Sequence, residues 1–200
     1  IITIAREYGS GGRYIGRLIA NKLGIKFYDK EFIKRLSKET GMTEEYIEES
    51  EKRINPIISL DNNYYGLSTD DELFIKETEL VKELAKKEAC VIVGRCADFI
   101  LKDNKNVIKV FVYSDEESKI ERVSKIYGLD KSKAKKEIKN LDKLRATHYK
   151  YYTGQDWKDY SNYDICINSD AFGVEKSANM ICEIVKTKLS QNENNKVTVK

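Results

Sequence analysis

The sequence is short of the residues from which metal centres and disulfide scaffolds are built. It has one histidine, His148, and four cysteines, Cys90, Cys96, Cys166 and Cys182, with no CxxC pair among them. Three of the four lie in apolar segments, so they read as buried free thiols in a reducing cytoplasm, and metal ligation by them is not expected. Long hydrophobic runs are missing as well. Crossing a bilayer takes roughly 20 apolar residues in a row. Ile1–Ala5 is apolar but far too short for a span or a signal peptide, and it lacks a basic leader. No membrane association is expected. Nor does one sign of charge dominate: 36 Lys+Arg stand against 33 Asp+Glu, a formal net charge of +3. That balance does not indicate a nucleic-acid binder, and none is expected as a partner. It leaves room for the local positive charge a small anionic molecule needs. The chain also shows no internal repeat and no low-complexity segment.

What is present suits one domain. Two hundred residues, 40% hydrophobic and 34% charged, can bury roughly two-thirds of the unfolded surface. Ile1–Ala5 reads as a buried β-branched strand, followed by glycines at Gly9–Gly12 and helical apolar spacing from Tyr14 to Leu23, with Gly24 placed to stop that helix. Ile25–Tyr28 is a second short strand ending at Asp29. Lys30 to about Tyr46 is helical with a break at Gly41–Thr43, where Thr43 can cap a new turn. Asn55–Asp70, with the sole proline, Pro56, reads as a loop. Asp71–Lys87 is an amphipathic helix. Cys90–Val93, Val107–Val112 and Tyr163–Asn168 are strands. Glu116–Tyr127 and Ser132 to about Tyr152 are charged helices around Gly128, and Val174–Leu189 is the last helix, before a polar tail expected to be frayed and flexible over 190–200. Short apolar strands alternating with helices predict an α/β fold with a parallel sheet flanked by helices.

A strand, a glycine-rich turn and a helix in succession aim several backbone N–H groups, and the positive end of a helix, at one anion. Arg6-Glu7-Tyr8-Gly9-Ser10-Gly11-Gly12-Arg13 occupies that context. Against the Walker A pattern G-x-x-x-x-G-K-[ST], Arg6 replaces the first glycine, Gly11 matches the second, Gly12 replaces the lysine and Arg13 the hydroxyl residue. Arg13 or Arg6 is the substitute cation to test, since guanidinium binds phosphate oxygens in pairs. Ser10 is the nearest hydroxyl for a Mg²⁺ ion.

Four segments together, Ile2 to Gly12, Phe27 to Lys30, Val91 to Arg95 and Tyr163 to Asn168, resemble the cytidylate kinase-like family of P-loop nucleoside monophosphate kinases. The resemblance runs from Ile1 to about Leu189. It implies a single three-layer P-loop kinase domain over 1–189, with a helical monophosphate-binding insertion at about 30–70 and a lid at about 116–152. It implies ATP and Mg²⁺ as cofactors, with nucleotides as small-molecule partners. Gly9, Ser10, Gly11, Gly12 and Arg13 would hold the donor phosphates, and Asp29, Arg95 and Asp98 would lie at the acceptor. Arg95 is the arginine of a Gly-Arg pair that holds the acceptor phosphate in the family, and Cys96 stands where cytidylate kinases carry aspartate. Arg122 and Arg145, with Lys139 and Lys143 as weaker candidates, lie on the lid-like helices. Asn168–Asp170 would lie near the adenine.

Phosphoryl transfer needs in-line positioning, a metal and cations around the equatorial oxygens, and little covalent help. Arg13, Arg95, Arg122 and Arg145 are therefore the expected catalytic cations. The aromatic group Tyr149, Tyr151, Tyr152, Trp157, Tyr160 and Tyr163 reads as core packing or a contact between two copies in a homodimer, more than as a base-stacking surface. The leading expectation is ATP-dependent phosphorylation of CMP or dCMP. The alternatives are a kinase for another small acceptor and a nucleotide-binding protein without catalysis, the latter suggested by the missing lysine.

Overall fold

Short β-branched runs form strands here because helices cover both of their faces. In the computed structural model, which describes residues 1–53 and 68–197, the strands are β1 (Ile2–Arg6), β2 (Lys26–Tyr28), β3 (Cys90–Val93), β4 (Ile108–Tyr113) and β5 (Ile165–Asn168). They form one sheet in the order β2-β3-β1-β4-β5, and every pairing is parallel, with Ile4 opposite Val93 on one side and Val110 on the other. β1 is central, and the chain leaves it first toward β2 and later, from β3, across to β4. Strand order thus reverses around the C-terminal end of β1, where open α/β sheets hold their ligands.

The helices are α1 (Gly12–Leu23), α2 (Lys30–Thr40), α3 (Glu44–Arg53), α4 (Thr69–Lys87), α5 (Ala97–Ile100), α6 (Glu116–Tyr127), α7 (Lys131–Thr153), α8 (Ser169–Phe172) and α9 (Val174–Val197). One face of the sheet, with Ile2, Ile4, Val91 and Val110, packs against Ile15 and Ile19 of α1 and Ile181 of α9. The opposite face, with Cys90 and Ile92, packs against Phe32 and Leu36 of α2, Ile47 of α3 and Leu80 and Leu84 of α4. These are the three layers the strand–helix alternation predicts. Ile4, Leu36 and Ile92 are fully buried, and truncating any of them to alanine costs about 2–5 kcal/mol.

Chain punctuation follows the sequence closely. Gly24 and Gly41 end their helices with φ of +64° and +74°, and Thr43 Oγ1 accepts the Tyr46 N–H at 3.1 Å at the start of α3. α4 starts two residues before the predicted Asp71, because Ser68 and Asp71 form a reciprocal capping box. Of the predicted loop at 55–70, residues 55–67, including Pro56, lie outside the described residues, and the remainder enters α4. The last helix passes the predicted end at Leu189 and continues to Val197. Cys90, Cys96 and Cys182 are buried and Cys166 is exposed, all as free thiols. Burial pushes the Cys90 thiol up to about 11, far from reactivity at neutral pH. Among the described residues no helix is long and apolar enough to cross a membrane.

Candidate functional site

Between β1 and α1 the backbone curls tightly. Gly9 and Gly11 have φ of +80° and +81°, left-handed values that side chains resist. A Cβ at either would lie 2.9 Å from a valine methyl, of Val123 or Val174. The turn is braced from within. Ser10 Oγ donates to the Glu7 carbonyl at 2.8 Å and accepts the Gly12 N–H at 3.4 Å. Ser169 Oγ donates to the Ser10 carbonyl at 2.6 Å. Asp142 takes the Tyr8 N–H at 2.6 Å. The N–H groups of Gly9 and Gly11 have no acceptor among the described residues, at the N-terminus of a helix whose dipole favours an anion.

Over this turn lies a cavity of about 840 Å³, within the roughly 300–1,000 Å³ of small-molecule sites. It is lined by the cations Arg6, Arg13, Arg17, Lys30, Arg122 and Arg145 and by the carboxylates Glu7, Asp29 and Glu31, with Tyr8, Tyr14, Ile126 and Tyr127 at its walls. Positive charge is therefore in excess here, although the whole chain is nearly balanced. Arg13 is ion-paired with Asp29 across the step from α1 to β2. Arg122 donates to the Gly9 carbonyl; burial lowers its pKa, opposed by the Asp170 carboxylate. Arg145 donates to the Arg6 carbonyl at 3.2 Å, and its guanidinium lies 5.6 Å from the Tyr8 ring centre.

A buried charge network fixes α6, through Lys119, and the middle of α7, through Asp142, to this turn. Lys119 Nζ lies 2.7 Å from Glu7 and 3.8 Å from Asp142, and Lys158 reaches the other Glu7 oxygen. Burial alone would raise the Glu7 carboxyl, but the hydrogen bonds and charges of Lys119 and Lys158 outweigh it and hold its pKa below the ordinary value.

The structure thus brings Gly9, Gly11, Gly12, Arg13, Asp29, Arg122 and Arg145 together around one cavity. Ser10, Arg95 and Asp98 are not among the residues that line this cavity. The Ser10 side chain is fully buried, and its hydroxyl is engaged twice within the turn it was expected to serve as a metal ligand. Arg95 Nη1 lies 2.6 Å from Glu77 of α4 and donates to the Ile47 carbonyl of α3 at 3.3 Å, in a buried setting away from the cavity lining. Asp98, on α5, is buried and accepts the Tyr149 hydroxyl at 2.6 Å. Burial raises its pKa against the pull of that hydrogen bond. Asn168 caps α8 by accepting the Asp170 N–H at 3.0 Å. Tyr149, Trp157 and Tyr163 are buried around Phe111, whereas Tyr151 and Tyr160 are exposed. His148 is buried beside Cys96, with Nδ1 to Sγ at 3.7 Å.

Sequence reasoning passed over Glu7, Tyr8, Arg17, Lys119 and Lys158. A signal was available: Lys119 and Arg122, and likewise Asp142 and Arg145, are three apart on their helices and so share one face each. Among the described residues no group of three or more His, Cys, Asp or Glu side chains could hold a metal. Kinase sites rarely need one, because Mg²⁺ keeps several waters and is bound through substrate phosphates and one or two carboxylates.

The sequence profile of the cytidylate kinase-like family matches residues 1–171. A cytidylate kinase of Archaeoglobus fulgidus is 28% identical over 190 residues, covering 94% of this chain and 95% of that protein. A solved structure from Eubacterium ventriosum, described as uncharacterized, superposes with a TM-score of 0.73 at 29% identity, covering 92% of this chain and 97% of that one. A shikimate kinase from Acinetobacter baumannii shares the fold with a TM-score of 0.52 at 18% identity, covering 93% of this chain and 92% of its own.

Proposed function

Because the chain belongs to the cytidylate kinase-like family, we propose that it transfers a phosphoryl group from ATP to a nucleoside monophosphate, with CMP or dCMP as the favoured acceptor. The observation that carries this reading is the ring of Arg6, Arg13, Arg122 and Arg145 around a cavity floored by Gly9, Gly11 and Gly12. The backbone N–H groups of the turn bind the donor phosphates, and the side chains of Arg122 and Arg145 neutralise the charge on the transferring group. The same cavity extends to Asp29, Lys30 and Glu31 at the start of α2, and on this reading the acceptor lies at that end. No protein nucleophile is required, since an acceptor phosphate oxygen attacks directly. When bound with the nucleotide, Mg²⁺ would supply charge neutralisation of its phosphates. On this reading Arg95 supports the acceptor side by fixing the end of β3 to α3 and α4, and Asp98 supports the strand end from within.

The test is ADP production from ATP and Mg²⁺ against a panel of monophosphates and small hydroxyl acceptors. Turnover with CMP and dCMP above the other bases is the expected result. Saturable ATP binding with no turnover on any acceptor overturns it and favours a nucleotide-binding protein, the reading suggested by Gly12 in the lysine position.

A further inference from the structure

Aligned on Gly11, the usual phosphate loop has glycine at position 6 and lysine at position 12. This chain has the reverse, Arg6 and Gly12, and the structure makes the exchange a physical one. A Cβ built on Gly12 would lie 2.5 Å from Arg6 Cβ, 3.1 Å from Arg6 Cγ and 3.2 Å from Val112 Cβ. Real Cβ atoms do not approach that closely, so the two positions compete for one space. Only one of them can carry a long side chain, and the cation absent from position 12 is present at position 6.

The far end of Arg6 is equally specific. Its guanidinium lies against Gly94, where an added Cβ would collide with Nη1 and would lie 3.3 Å from Cζ and 3.6 Å from Nη2. Gly94 directly follows β3, which pairs with β1, so Arg6 spans from the glycine turn to the end of the neighbouring strand while lining the cavity. The Arg6 carbonyl is held by Arg145 at 3.2 Å. Arg13 also lines the cavity, half-exposed and paired with Asp29.

We propose that Arg6 is the catalytic cation of this phosphate loop, taking the part of the missing lysine from the opposite end of the turn. The inference rests on the kinase reading for its chemistry. As an oxygen of the acceptor phosphate forms its bond to the γ-phosphorus, the bond from that phosphorus to the β–γ bridging oxygen breaks and the donor leaves as the diphosphate. Arg6 hydrogen-bonds the oxygens that gain charge, and it transfers no proton because guanidinium stays protonated.

The test combines turnover with affinity for inorganic pyrophosphate, which reports on the loop without any base or acceptor. Arg6→Gln in a folded variant should weaken pyrophosphate binding and lower kcat/KM at least about tenfold, and Arg6→Lys should fall in between. Pyrophosphate affinity within about twofold of wild type in a folded Arg6→Gln variant overturns the proposal. If Arg6→Gln does not fold, the reciprocal pair decides. Gly12→Lys alone should lower the melting temperature through its collision with Arg6. Arg6→Gly with Gly12→Lys should restore both melting temperature and pyrophosphate binding, and a folded double variant that binds no pyrophosphate contradicts the proposal. A wild-type protein that binds pyrophosphate through Arg6 yet phosphorylates no acceptor would count against the kinase reading alone.

Discussion

Two neighbouring strands, β1, which ends at Arg6 ahead of the glycine turn, and β3, which runs into Gly94 and Arg95, have ends that do opposite things. After β1 the turn opens on a cavity, its glycines bare two backbone N–H groups, and five arginines line the space. After β3 the polar groups turn inward. Arg95 meets Glu77 and Ile47, Asp98 meets Tyr149, and Cys96 meets His148. Gly94, Arg95 and Cys96 run through three successive left-handed conformations, with φ of +76°, +59° and +49°. For the two non-glycine residues that geometry costs about 1–3 kcal/mol each, offset by the buried partners that hold it. An arginine after a buried strand can therefore be held within the fold rather than turned to a cavity. What decides is the element packed opposite it, a glycine turn in one case and an acidic helix face in the other.

The largest expected effect lies at the closed end. Glu77→Ala leaves Arg95 buried without its carboxylate and should lower stability by about 3–5 kcal/mol, read by chemical denaturation. The paired change Arg95→Met with Glu77→Leu should recover much of that loss. If Glu77→Ala is as stable as wild type, the ion pair does not hold the β3 end, and the contrast between the two ends fails.

At the open end, Lys119→Met removes the shared partner of Glu7 and Asp142 and should cost about 3 kcal/mol. Lys158, whose side chain is 54% exposed, should cost under about 1 kcal/mol on the same change. Equal losses would mean that Glu7 is held from the surface rather than from α6.

Activity should separate the ends more sharply than stability does. Arg122→Ala should lower kcat/KM for phosphoryl transfer at least about tenfold with little change in melting temperature. Arg95→Met should lose activity only in proportion to its loss of folded protein. An Arg95 variant that is fully folded and inactive would return that residue to the acceptor site.

The smallest effect is a pH dependence of opposite sign at the two ends. Glu7, held below the ordinary carboxylate range by its lysines, contributes stability that is present above its unfolded pKa and is lost as pH falls through the folded value. Asp98, raised by burial, favours the folded state most at acid pH, and that contribution is lost as pH rises from its unfolded value through the folded one. Asp98→Asn keeps an acceptor for Tyr149 and should match or exceed wild-type stability at pH 7, with the difference shrinking toward pH 4. Glu7→Gln should instead lose most at neutral pH. Denaturation midpoints measured across that range check both signs.

Much of the fold was legible because strands such as Cys90–Val93 are uninterrupted apolar runs and because Gly24 and Gly41 punctuate the helices. The short helices α5 and α8 were not, since four residues give no periodicity to read. The extension of α9 past Leu189 is a polar stretch, where periodicity is equally silent. At the site, the glycine turn could be read locally, and the excess of arginine around it could be suspected. The fate of Arg95 could not, because its partner Glu77 lies 18 residues earlier on another helix. The Lys119–Glu7 pair joins residues 112 apart, a separation at which spacing carries no information.

The central claim is that the β1 end binds nucleotide phosphate and the β3 end does not. Titration of ¹⁵N-labelled protein with ADP and Mg²⁺, followed through backbone amide shifts, tests it most directly. The Gly9 and Gly11 amides should show the largest downfield shifts, saturating together with Arg122, while Arg95 and Cys96 stay near their starting positions. Saturable shifts centred on Arg95 and Cys96, with Gly9 and Gly11 unmoved, would contradict it.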